Sequence, residues 1–152
     1  MQTEITITVR SMEHGELVNL LSTALEGNSW FGASYNKEIY ESLKFTQGYC
    51  FEDKLADMLL AGHQITITDY EADGEAYSSK CTRITADGNA VYKIGLDDIL
   101  EVASTTIGYD LLRKTIGYSE EMGDDRNEAP TGDFWTADAF LQRVVFGEEI
   151  YG

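Results

Sequence analysis

Two Asp-Gly dipeptides fix how the middle of this chain can fold. Asp73-Gly74 and Asp87-Gly88 separate three runs that favour extended backbone: residues 64–69, 76–85 and 90–94. Glycine reaches positive φ without steric cost, so an Asp-Gly pair between such runs signals a tight hairpin. In Gln64-Ile65-Thr66-Ile67-Thr68-Asp69 the two isoleucines fall on one side of the strand and the threonines on the other. The reading is an antiparallel meander. Glu4-Ile5-Thr6-Ile7-Thr8-Val9-Arg10 repeats the alternation and is expected to supply another strand.

Helical periodicity surrounds these strands. Ser11 offers an N-cap hydroxyl, Leu17, Leu20, Leu21, Ala24 and Leu25 recur at helical spacing, and Gly27 ends the run, which predicts a helix over 12–26. Residues 28–35 read as a loop or short extended piece, and 37–45 as either a helical turn or a short strand. A helix over 51–61 carries Leu55, Met58 and Leu59 on its apolar stripe, with Glu52 and Asp53 in its first turn and Gly62 after it. A further helix opens at Asp97 and Asp98, with a break expected near Gly108 and an end at Gly117. Thr136 is expected to cap a last helix whose Ala139, Phe140, Leu141 and Val144 face inward. The layout is a single α+β domain over 1–152: a mostly antiparallel sheet of about four strands with helices packed on one face, and an acidic loop at about 118–132.

At 152 residues a chain buries roughly 70% of its unfolded surface, so the core needs no disulfide or metal staple. Cys50 and Cys81 are the only cysteines, too few for a disulfide scaffold or a four-cysteine zinc site. The opening Met1-Gln2-Thr3-Glu4 lacks the basic and apolar regions of a signal peptide, and no apolar run is long enough to span a bilayer. A cytoplasmic setting with reduced thiols is therefore expected.

Candidate chemistry is sparse. Asp69, Glu71, Asp73 and Gly74 match the start of a calcium loop, but Lys80 stands where the closing bidentate Glu belongs, and a hairpin turn explains the segment better. His14, His63, Cys50 and Cys81 show no ligand spacing, and both histidines are expected at the surface. There is no nucleophile elbow, phosphate loop or dinucleotide fingerprint. The expectation is no enzyme, no cofactor and no metal. The adjacent acids at helix starts suit the helix dipole, and the other acidic pairs suit a solvated surface.

Charge is the unusual property: 27 acids against 11 Lys and Arg give −16. A globule of this length is roughly 38 Å across, and duplex DNA carries about 22 charges over that span. The protein thus holds about 70% of the charge of a DNA segment its own size. Such a surface repels nucleic acid and can be steered onto a basic protein. The expected contact surface combines Asp97, Asp98, Glu101, Glu120, Glu121, Asp124, Asp125 and Glu128 with Trp30, Tyr35, Tyr118 and Trp135 as aromatic anchors.

Ala24-Leu25-Glu26-Gly27 with Trp30, Gly62 ahead of Ile65–Asp69, Ala137-Asp138-Ala139-Phe140-Leu141-Gln142 and Phe146–Gly152 resemble a group of small acidic proteins of phages, prophages and integrative elements of gut bacteria. The resemblance spans most of the chain, and 96–132 departs from it. The group has no assigned activity, so it lends no catalytic residue. It implies an accessory gene of a mobile element, a class that often encodes inhibitors of host nucleases and of restriction or CRISPR systems. The expected function is a non-enzymatic protein-binding module, an anti-defence inhibitor engaging a basic nucleic-acid-handling host protein. A small ligand-binding domain or enzyme using His14, His63 or Cys50, and a self-associating accessory, are the alternatives.

Overall fold

The structure, a computed structural model, describes residues 9, 11–27, 30–46, 50–117 and 134–152. They form α1 (His14–Glu26), β1 (Phe31–Ser34), α2 (Lys37–Ser42), α3 (Phe51–Leu60), β2 (Ile65–Asp69), β3 (Cys81–Ile84), β4 (Ala90–Ile94), α4 (Leu96–Ala103), α5 (Thr106–Ile116) and α6 (Phe134–Phe146). The expected strand 4–10 lies outside these residues apart from Val9, which is buried and donates its N–H to Ser104 Oγ at 2.8 Å. The acidic loop at 118–132 lies outside them too.

Three helices begin with the same device. A carboxylate at the third helical position accepts the N–H of the residue before the helix: Glu16 from Glu13 (2.7 Å), Asp53 from Cys50 (3.1 Å) and Asp98 from Gly95 (2.7 Å). Each satisfies an amide near the helix start and places negative charge at the positive end of the dipole. Ser11, the expected cap of α1, is displaced by Glu13 because the Glu13–Glu16 pair closes the first turn. At α2 and α5 the cap is a side-chain oxygen, Asn36 Oδ1 and Thr105 Oγ1, accepting from Ile39 N and Gly108 N.

The sheet is antiparallel throughout, in the order β1-β2-β4-β3. The four strands are present, but the three-strand meander is not. β4 returns past β3 to pair with β2, with Ile65 opposite Ile94 and Ile67 opposite Tyr92, leaving β3 at the rim. The alternation explains this: β2 and β4 both have buried isoleucines to place on the core face, whereas β3, Cys81-Thr82-Arg83-Ile84, is exposed over most of its length. β1 completes the other rim, so 31–34 within the undecided stretch are extended, and 37–45 contains the helix α2.

The core lies between the inward sheet face (Phe31, Ile65, Ile67, Ala90, Tyr92, Ile94) and the helices. Leu17, Leu20, Leu21 and Ala24 of α1 pack with Leu55, Met58 and Leu59 of α3 and with Phe140, Leu141 and Val144 of α6. Ala137 rather than Ala139 faces inward on α6. Thr136 does not cap that helix: it lies inside it, with Oγ1 2.6 Å from Thr115 Oγ1.

The break after α4 also differs from expectation. It falls at Ser104 and Thr105, and Gly108 lies inside the first turn of α5. A Cβ at Gly108 would overlap the Val102 carbonyl oxygen, so this glycine permits the close corner between α4 and α5. Gly108→Ala should destabilise the fold by about 3 kcal/mol. Gly15, which has open space where a Cβ would go, should tolerate alanine or gain about 0.5 kcal/mol. Urea unfolding of the two variants checks the contrast.

Candidate functional site

The residues between Phe146 and the end of the sequence fold back across α6 and the sheet. Gln142, 1% exposed, holds them. Its Oε1 accepts the N–H groups of Ile150 (2.7 Å) and Tyr151 (2.8 Å), while its Nε2 donates to the Tyr151 carbonyl (3.0 Å) and to Asp138 Oδ2 (3.1 Å). The other Asp138 oxygen accepts from the Trp30 indole N–H. Tyr151 then donates its hydroxyl to Asp69 Oδ2 at 2.7 Å, and Glu71 N–H donates to Asp69 Oδ1 at 2.9 Å. One polar chain thus connects the start of β1, α6, the returning segment and the end of β2.

Aromatic rings surround this chain. Trp30 lies 5.1 Å from Phe146 and 5.6 Å from Tyr151, and Phe146 lies 5.3 Å from Tyr92, in tilted or edge-on arrangements. Asp69 is fully buried here. Burial raises its pKa above the ordinary carboxylate value, and the bonds from Tyr151 and Glu71 N–H act in the opposite direction. Burial and the bond to Asp69 push the Tyr151 phenol upward, so it stays a donor.

A second polar cluster joins α1, α2 and α3. His14 Nε2 lies 3.1 Å from Asp57 Oδ1, and the Tyr40 hydroxyl donates to Asp57 Oδ2 at 2.8 Å. The expectation of a surface His14 is therefore corrected: its side chain is 13% exposed, turned against the α3 carboxylate. Despite the short separation, His14 Nε2 lacks an aligned hydrogen bond. The contact is one of proximity rather than a directed bond.

A groove of about 820 Å³ lies between α2, the turn from α3 to β2 and the start of α4. Asn36, Ile39, Leu60, His63, Lys93 and Asp97 contribute to it. Of the sequence-predicted site residues it gathers Asp97 and Asp98, and Asp98 already holds the Gly95 N–H. Glu101 is exposed farther along α4. Trp135 is 60% exposed and tilts against Phe134 with ring centroids 4.7 Å apart. Tyr35 lines a separate groove with Lys37 and Lys54 and meets Tyr40 edge-on. Trp30 is corrected: at 2% exposure it is part of the core. Tyr118, Glu120, Glu121, Asp124, Asp125 and Glu128 lie outside the described residues. Asp69, Asp57 and Gln142 were not singled out as buried polar groups, because no local pattern separates them from the solvated acids and amides of the sequence.

Among the described residues, no three His, Cys, Asp or Glu side chains are arranged to hold a metal ion. Asp69, the first residue of the apparent calcium loop, has its oxygens engaged by Tyr151 and Glu71. The two cysteines are free, Cys50 exposed and Cys81 half-buried. No protein-family model matches this chain, and neither a curated protein nor a solved structure matches it.

The polar chain makes two tests available. Gln142→Leu leaves the Ile150 and Tyr151 amides without their acceptor and should cost about 2–4 kcal/mol in urea unfolding. Asp69 binds its proton more tightly when folded, so its contribution is full below its unfolded pKa of about 4 and is lost as pH rises through the folded value. Against an Asp69→Asn variant, the wild type should therefore gain relative stability as pH falls from about 7 to about 4. A difference in unfolding free energy that stays flat over that range contradicts the assignment.

Proposed function

We propose that this protein is a binding module of a mobile element that engages a basic, nucleic-acid-handling host protein in the host cytoplasm, acting as an anti-defence inhibitor. The observation that carries the reading is the net charge of −16 together with its accessibility. Among the described carboxylates only Asp57 and Asp69 are buried, and the others reach water. Asp97 and Glu101 present charge along α4, and Trp135 offers a large exposed ring of the kind that anchors interfaces. A field of this sign speeds encounter with a cationic groove and repels nucleic acid itself. Among the described residues no helix is long and apolar enough to cross a membrane.

The immobilised protein should retain DNA-binding proteins from host lysate, and added duplex DNA should compete them off. For a retained nuclease, affinity should fall steeply with added salt, because exposed charges are screened over about 8 Å at physiological ionic strength. Trp135→Ala should weaken that complex by about 2 kcal/mol while leaving thermal unfolding unchanged. Retention indifferent to both salt and DNA contradicts the proposal.

A further inference from the structure

The rim of the sheet at β3 carries two cations, Lys80 and Arg83. Asp87 lies in the turn that follows, beside Asp73 and Glu75, which flank Gly74 where its N–H bonds the Gly88 carbonyl, and Lys93 on β4 bonds Thr66 Oγ1 on the far side of that strand. Among the described residues β3 pairs with β4 on one side only, and Thr82, Arg83 and Ile84 are exposed, Ile84 to 40%. Lys80 and Arg83 form no ion pair with a described residue.

We propose that this rim docks a short, extended, acidic segment of another protein, which adds to the sheet as a strand beside β3. An unpaired strand edge supplies main-chain donors and acceptors, and alternate side chains of an added strand supply specificity. Here the side chains at the edge select for carboxylates, with Ile84 offering an apolar contact. The same residues disfavour a second copy. Antiparallel pairing of two β3 edges would bring Lys80 and Arg83 of both chains together, and cations on an edge are a known guard against such pairing. The pairing with β4 shifts register between Cys81 and Arg83, so the segment that fits is short. Screening over about 8 Å at physiological salt gives the charges on the edge itself, Lys80 and Arg83, the most weight on a strand added beside β3. The site is independent of the acidic surface invoked above, whose partner is basic.

The probe is a fluorescein-labelled peptide alternating Glu and Val, compared with a Lys-Val counterpart and with the Glu-Val peptide carrying N-methylated amides. The Glu-Val peptide should bind saturably by anisotropy and slow amide exchange at residues 81–85. Joint Lys80→Glu and Arg83→Glu substitution should weaken it at least about tenfold, whereas Lys54→Glu on α3 should leave it unchanged. N-methylation should abolish binding, since the added strand then has no ladder donors. The proposal is overturned by equal binding of the Lys-Val peptide, by unchanged binding to the double variant, or by no saturation up to about 1 mM. It is also overturned if sedimentation shows the edge occupied by a second copy.

Discussion

The amide of Gln142 is the joint on which this fold turns. It is buried, it uses both its oxygen and its nitrogen, and it binds backbone on one side and the Asp138 carboxylate on the other. A buried amide satisfied this fully specifies one arrangement, because any slip of the returning segment strands donors and acceptors out of reach of water. Asp138 carries the constraint to Trp30, and Tyr151 carries it to Asp69. Trp30, Asp138, Gln142, Phe146 and Tyr151 are spent in this way on holding strands, helix and returning segment together.

The acid surplus has two components. Glu16, Asp53 and Asp98 close helix starts, and Asp57, Asp69 and Asp138 take part in interior hydrogen bonds. These are structural carboxylates, each with named donors. Others among the described residues, such as Glu38, Glu41, Asp97 and Glu101, face solvent and contribute to the field that a partner would meet. Removing the side chains of the first group would damage the fold, and neutralising the second would alter encounter.

Much of the fold was legible because local chemistry and global packing agree. The alternation of Ile65 and Ile67, the helical spacing of Leu17 to Leu25 and the stop at Gly117 each meant in the structure what they mean in isolation. Strand order was not legible: an Asp-Gly turn announces a reversal, but it does not say that β4 will pass β3 and join β2. Gly108 misled for a related reason, since its role is set by the Val102 carbonyl across a corner. For the site, exposure decided what composition could not. Trp30 and Trp135 look alike in a sequence, yet one is a core ring bonded to Asp138 and the other lies against Phe134 with most of its surface exposed.

The passage of β4 past β3 has a consequence for how such a chain can diverge. The ladder β1-β2-β4 closes without β3, so 70–89 is an excursion between two adjacent strands. It is pinned near its beginning, where Ala72 is buried, Tyr77 N–H reaches the Tyr92 hydroxyl and Ser78 Oγ reaches the Val145 carbonyl. Beyond those pins its hold on the sheet runs through β4 at the rim, so the stretch can be lengthened, shortened or rewritten while the central strands stay as they are.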